Sequence, residues 1–177
     1  MTVLTAAVVV LGLLCLLNLA VSTAVIRRLR LLGMPVDPAS GGGPAIGSPV
    51  PAFDVMADDG TSLTPDFLRG RRTLIAFLST ACSACVDHAP ELAVRAAELE
   101  STGTQVLLVL LDHGADARGL RKLLSPVGTL LTGENALAFM TACQVDATPT
   151  YWLTGEDGTL AAELQDLDSL PLPLRAD

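Results

Sequence analysis

Two cysteines, Cys82 and Cys85, form a C-x-x-C pair, which is the feature of this sequence best suited to chemistry. A continuous apolar run, residues 73–80, leads into them, and a helical pattern begins at the first cysteine. Residues i and i+3 lie on one face of a helix, so the two sulfurs can meet as a disulfide. The helix N-terminus stabilises a thiolate, which is the nucleophile in disulfide exchange. The pattern predicts that Cys82 attacks and that the more shielded Cys85 resolves the mixed disulfide.

A C-x-x-C pair also occurs in zinc sites, in haem attachment and as a structural disulfide. Zinc requires further ligands, and the remaining candidates, His88, His113 and Cys143, have no recognised metal-site spacing. Haem attachment requires a histidine directly after the second cysteine, where Val86 stands. We therefore predict no metal and no cofactor. The spacing alone leaves open a purely structural disulfide or two idle thiols.

From Pro51 onwards the chain alternates between strand-like and helix-like patterns. Buried strands are indicated by apolar runs, helices by apolar residues at helical spacing, and hairpins by glycine-containing turns. The predicted strands are residues 73–80 and 105–112, the predicted helices are about Cys82–Leu99, 115–124 and 134–143, and the predicted hairpins turn at Asp59–Gly60 and Gly155–Gly158. Interleaved strands and helices predict an α/β architecture around a central sheet.

The order of these features resembles the thioredoxin fold over about residues 48–164. The matching features are a strand, the C-x-x-C pair, a proline five residues later, and the sequence Thr148-Pro149-Thr150 before another strand. The resemblance implies a central mixed sheet flanked by helices. It also implies that Pro149 is a cis-proline facing the cysteines and that the backbone of Thr148 pairs with a bound substrate chain. Read without the resemblance, Pro149 is an ordinary trans proline in a turn.

The sequence departs from the thioredoxin pattern at positions that handle protons. The buried aspartate of thioredoxin corresponds to Ala76, and the tryptophan before its first cysteine corresponds to Ala81. In the cytochrome-maturation relatives a glutamate stands three residues after the second cysteine, where this chain has His88. An imidazole one helical turn from Cys85 can relay protons near neutral pH. The alternative is an exposed helical histidine without a role.

The N-terminal segment has no charged side chain from Met1 to Ile26. As a helix, the 25 uncharged residues Thr2–Ile26 would extend over roughly 37 Å, enough for a hydrocarbon core of roughly 30 Å. Arginines follow the segment and none precedes it, which favours an uncleaved anchor over a signal peptide. We predict a transmembrane anchor with its basic flank over residues 1–30, a flexible linker over 31–48, a thioredoxin-like domain over 49–168 and a tail over 169–177.

Charge and layout narrow the partners and the location. A net charge of -8 with one lysine excludes nucleic-acid binding, which depends on basic side chains. An anchor followed by the residues P-A-F-D-V resembles the membrane-tethered TlpA-type branch of thioredoxin-like proteins, in layout most of all the MauD proteins of methylamine utilisation. The resemblance implies protein thiol and disulfide clients, a membrane electron donor, and an extracytoplasmic domain on a single-pass anchor in the cell membrane. The arginines at positions 27, 28 and 30 favour the opposite orientation by the positive-inside rule.

These features bear on three candidate functions. The first is a membrane-tethered thiol–disulfide oxidoreductase acting through Cys82 and Cys85. The second is a thioredoxin-like assembly or maturation factor that binds one specific partner without turnover. The third is a peroxidase of the peroxiredoxin class, whose P-x-x-x-T-x-x-C signature fails here because Ile75 and Ser79 stand at the required positions before Cys82.

Overall fold

The computed structural model describes residues 4–5, 10–12, 14–15, 18, 43–112, 117–166 and 169. The chain divides into two compact units, residues 1–41 and 42–177. Most of the predicted anchor and most of the predicted linker lie outside the described residues. Within the described residues, no helix has the length and apolar character needed to cross a membrane. The predicted segment boundaries stay predictions.

The second unit begins with a short antiparallel hairpin. Its strands are β1 (Val55–Met56) and β2 (Ser62–Leu63), with Val55 opposite Leu63. The turn contains Gly60 with φ +87°, a left-handed conformation that glycine adopts at little cost. The structure confirms the hairpin that Asp59–Gly60 predicts.

A five-stranded mixed sheet forms the centre of the unit, in the order β5-β4-β3-β6-β7. Strands β3, β4 and β5 are mutually parallel, β6 runs antiparallel to β3, and β7 runs antiparallel to β6. The strands are β3 (Thr73–Ser79), β4 (Gln105–Leu111), β5 (Thr129–Thr132), β6 (Thr150–Thr154) and β7 (Leu160–Leu164). The sequence predicts four of these five strands.

Three α-helices and two short 3-10 turns connect the strands. The helices are α1 (Ser83–Ser101), α2 (Ala117–Leu124) and α3 (Gly133–Cys143), and the 3-10 turns are Pro65–Leu68 and Ser125–Val127. All three helices agree with the predictions. The structure therefore confirms an α/β architecture with a central mixed sheet flanked by helices.

The central strand β3 divides the hydrophobic core into two layers. Every residue of β3 is buried, and alternate side chains point to opposite faces of a strand. Leu74 and Leu78 contribute to the cluster that contains residues of α1 and α2. Ile75 and Phe77 contribute to the cluster that contains residues of α3. The fully apolar run therefore has the two covered faces expected of a central strand.

Strand β5 is absent from the sequence predictions. It is four residues long and pairs in parallel with β4, Leu131 opposite Val109. A run this short carries no periodicity that separates a strand from a loop or a buried helical turn. Its identity depends on pairing with a strand that lies about twenty residues earlier in the chain.

Replacing Phe139 with alanine should lower the free energy of unfolding by about 3–5 kcal/mol, the usual cost of removing a buried aromatic ring. Phe139 is fully buried, and its ring centroid lies 4.7 Å from that of Phe53 and 5.8 Å from that of Phe77. Leu137 on the same helix is 57% exposed, so Leu137→Ala is the matched control and should change stability by less than about 0.5 kcal/mol. Urea unfolding of the reduced full-length chain measures both values. Equal losses for the two variants would contradict this packing.

Candidate functional site

A tight turn connects the carboxyl end of β3 to the first cysteine. The backbone N–H of Thr80 donates to the carbonyl of Leu111 at the end of β4, at 3.0 Å. The N–H of Cys82 then donates to the carbonyl of Ser79 at 3.2 Å, and the N–H of Ala81 donates to the Ser79 hydroxyl at 3.2 Å. These bonds fix the position at which α1 begins relative to the sheet.

Cys82 caps the N-terminus of α1. Its backbone is extended, with φ −98° and ψ 110°, and its Sγ accepts a hydrogen bond from the N–H of Cys85 at 3.2 Å. The first N–H groups of a helix have no partner within the helix, and the positive end of the helix dipole favours negative charge there. Cys82 is partly exposed, so a reacting partner can reach its sulfur.

Cys85 lies one turn further along α1 and is only 1% exposed. It packs into the cluster formed between the sheet and α1. Both thiols are free in the structure. The helical spacing therefore produces one accessible and one shielded sulfur on the same face.

The loop before β6 lies against the first cysteine. The peptide bond between Thr148 and Pro149 is cis, as the resemblance to thioredoxin implies. The thiol of Cys82 donates to the carbonyl oxygen of Thr148, with 3.4 Å between the sulfur and the oxygen. The structure thus brings Cys82, Cys85, Thr148 and Pro149 together. Their catalytic and substrate-binding roles stay predictions.

The two cysteines differ in acidity. Burial would raise the pKa of Cys82, but hydrogen bonds involving Cys85, Thr148 and Ala84 outweigh burial and bring the pKa below its ordinary value. Burial, together with the neighbouring Cys82 thiol, raises the pKa of Cys85 to about 11. The geometry therefore favours a thiolate at the accessible sulfur and a protonated thiol at the shielded one.

An open groove of about 230 Å³ runs beside the dithiol. One wall is α1, which contributes Ala84, His88 and Glu91, at a spacing of four and three residues that places them on one helical face. The other residues lining the groove are Pro149 and Tyr151 at the start of β6, and Gln165 and Asp166 after β7. The groove therefore joins the proline loop to solvent.

His88 is exposed and lies in this groove, one turn beyond Cys85. The role of His88 in a proton relay stays a prediction. Three groove residues with charged or amide side chains, Glu91, Gln165 and Asp166, are not among the predicted site residues, and neither are Ala84 and Tyr151. The helical spacing from His88 points to Glu91, whereas Gln165 and Asp166 reach the groove through the fold of β7 and have no local signal in the sequence.

Comparison with known families places the chain. Residues 46–162 match the AhpC/TSA family over about two thirds of the sequence. This chain belongs to the AhpC/TSA family. No curated protein sequence matches it significantly.

Solved structures share the fold of this AhpC/TSA-family chain. The thioredoxin domain of a thiol–disulfide oxidoreductase from Bacteroides vulgatus is 19% identical with a TM-score of 0.57, covering 70% of this chain and 91% of that one. A thio-disulfide isomerase from Thermus thermophilus is 20% identical with a TM-score of 0.54, covering 69% and 87%. A secreted disulfide oxidoreductase from Mycobacterium tuberculosis is 19% identical with a TM-score of 0.51, covering 65% and 84%. These similarities show a thioredoxin-like fold.

The acidity difference predicts that an alkylating reagent modifies Cys82 before Cys85. A pKa of about 11 for Cys85 leaves roughly one thiol in 10,000 ionised at pH 7, and only the thiolate reacts. In a background with serine at the exposed Cys15, Cys85→Ser should be alkylated at least about 100-fold faster at pH 7 than Cys82→Ser. Rates measured across pH by mass spectrometry test this expectation. Equal rates for the two variants would contradict the division between the sulfurs.

Proposed function

We propose that this AhpC/TSA-family chain is a membrane-tethered thiol–disulfide oxidoreductase that exchanges disulfides with cysteines of client proteins. One observation carries the proposal. The accessible Cys82 sulfur lies 3.2 Å from the N–H of Cys85 at a helix N-terminus and 3.4 Å from the carbonyl of Thr148. The fold shared with thiol–disulfide oxidoreductases supports it.

Exchange in the reducing direction takes two steps. The Cys82 thiolate attacks one sulfur of a client disulfide, so that a mixed disulfide forms and one client thiolate leaves. The Cys85 sulfur, once deprotonated, attacks Cys82 and releases the second client thiolate. The client disulfide gains two electrons and the Cys82–Cys85 pair loses two. The same steps in reverse oxidise a client dithiol, and the reduction potential of the pair sets the direction.

Thr148 and Pro149 would hold the client during this exchange. The Thr148 carbonyl already accepts the Cys82 thiol at 3.4 Å, so a client backbone paired with Thr148 would bring its disulfide to the attacking sulfur. The groove beside Pro149 offers room for the residues that follow the client cysteine. Positioning of the reacting sulfurs in this way is worth several kcal/mol in related intramolecular reactions, of the order of 7–11 kcal/mol at best.

His88 is proposed as a proton carrier of the site. It is exposed in the groove, where an imidazole can exchange protons with solvent. His88→Ala should then displace the pH profile of Cys82 thiolate formation. An unchanged profile would exclude the relay.

The membrane tether and the location are part of the same proposal. The uncharged segment Thr2–Ile26 and the opening P-A-F-D-V support a TlpA-type, MauD-like layout. On this proposal the chain is a single-pass protein of the cell membrane with its thioredoxin-like domain outside the cytoplasm. A membrane electron donor would reduce the Cys82–Cys85 disulfide there. A C-terminal reporter that is active only outside the cytoplasm tests the orientation.

Replacing the resolving cysteine should trap the client. In Cys85→Ser the mixed disulfide on Cys82 cannot be resolved, so client proteins should accumulate as adducts that a reducing agent releases. Cys82→Ser is the matched control and should capture none. Capture of adducts from the native membrane, followed by mass spectrometry, measures both.

The trapping experiment and a peroxide assay together separate the alternative functions. An assembly factor without turnover would yield no adduct with Cys85→Ser, although it would still bind its partner noncovalently. A peroxidase would consume peroxide with the purified chain, whereas the exchange enzyme would reduce a protein disulfide. An adduct-free Cys85→Ser variant that remains folded would overturn the exchange function.

A further inference from the structure

Tyr151 is a buried ionisable side chain to which the exchange mechanism assigns no task. It is 1% exposed and belongs to the same hydrophobic cluster as Cys85. In the sheet register it lies opposite Ala76 of β3 and opposite Leu164 of β7. The small side chain of Ala76 leaves space beside it for the phenol ring.

The surroundings of the phenol are acidic and come from two sides. Burial first, then the charges of Cys85, Cys82, Glu91 and Asp166, raise the pKa of Tyr151 well above its ordinary range. Cys85 and Glu91 lie on α1, Cys82 caps that helix, and Asp166 follows β7. The register partners on β3 and β7 carry no charge. The hydroxyl is therefore neutral at physiological pH, and a neutral hydroxyl both donates and accepts a hydrogen bond.

Tyr151 also borders the open groove. It lines the groove together with His88, Glu91 and Asp166. The same residue thus belongs to the buried cluster of the shielded thiol and to the wall of the open groove. Glu91 is held by Arg95, with 2.9 Å between carboxylate oxygen and guanidinium nitrogen, which disfavours this carboxylate as the proton acceptor.

The resolving step requires a path by which the proton of Cys85 reaches solvent. Cys85 must lose its proton before it attacks, yet it is 1% exposed and burial raises its pKa to about 11. Water therefore has little direct access to this thiol. The Ala76 position, which adjoins Tyr151 in the sheet, offers no side chain that accepts a proton.

We propose that the hydroxyl of Tyr151 relays the Cys85 proton to water in the groove while Cys85 resolves the mixed disulfide. This inference rests on the proposed exchange function. The tyrosine oxygen takes the proton from Cys85 as its own proton passes to a groove water, so the tyrosine is unchanged. The Cys85 sulfur forms a bond to Cys82 as the bond between Cys82 and the client sulfur breaks. The client leaves as a thiolate and takes up a proton from solvent.

Tyr151→Phe tests the relay because it removes the hydroxyl and keeps the ring. The full-length chain, reduced and with serine at Cys15, is mixed with a chromogenic aryl disulfide in a stopped-flow instrument. Attack by Cys82 releases one coloured thiolate and resolution by Cys85 releases a second, so one trace reports both steps. The first phase and the circular dichroism spectrum verify that the variant is folded.

The expected result is a change in the second phase alone. At pH 7 Tyr151→Phe should slow it roughly 10-fold or more, within the range for loss of general acid–base assistance. The difference should shrink as the pH approaches 11, since hydroxide then removes the Cys85 proton directly. In the unsubstituted chain, heavy water should slow the second phase more than the first.

Three outcomes overturn the relay. A second phase equal to that of the unsubstituted chain at every pH shows that the hydroxyl is not used. A loss by the same factor at every pH shows a structural role only. Absence of a solvent isotope effect on the second phase excludes a proton in flight, even where the variant fails to fold. If the unsubstituted chain gives no coloured phases at all, the exchange function itself has failed, and the relay with it.

Discussion

The hydrogen bond from the N–H of Cys85 to the sulfur of Cys82 is the interaction on which the site depends. It measures 3.2 Å and closes the first turn of α1 around the sulfur. The bond exists because β3 ends in a tight turn that places Cys82 in an extended conformation at the helix N-terminus. A sulfur in that position receives a backbone donor and the positive end of the helix dipole. Removal of the turn would leave an ordinary cysteine.

The same helix assigns opposite properties to its two cysteines. The helical advance of three residues moves the second sulfur from the surface to a side chain that is 1% exposed. Burial then raises the pKa of Cys85, whereas local donors lower that of Cys82. An accessible nucleophile and a shielded, protonated partner suit a two-step reaction, in which the first sulfur attacks and the second reacts only after the mixed disulfide has formed. Because Cys85 is buried, its proton needs a path to solvent. Tyr151 belongs to the same buried cluster as Cys85 and also lines the groove.

Local pattern is sufficient for much of this site. The C-x-x-C spacing and the apolar run before it predict the strand and the helix that hold the two cysteines. The place of Thr148 and Pro149 beside them is implied only by the resemblance to thioredoxin. The pairing of Tyr151 with Ala76 is different, because the two residues are separated by most of the domain and meet only through the antiparallel register of β3 and β6. Strand β5 and the groove residue Asp166 are likewise products of long-range pairing. Contacts of this kind leave no local pattern in the sequence from which they could be predicted.

The most direct test of the dithiol cycle is equilibration of the full-length chain in mixtures of reduced and oxidised glutathione, followed by acid quenching and peptide mass spectrometry. The account predicts a single intramolecular disulfide, between Cys82 and Cys85, whose fraction follows a two-electron redox curve. Cys143 is fully buried and should stay reduced throughout. A chain in which Cys82 accumulates only as a glutathione adduct, with no bond to Cys85 at any potential, would contradict it.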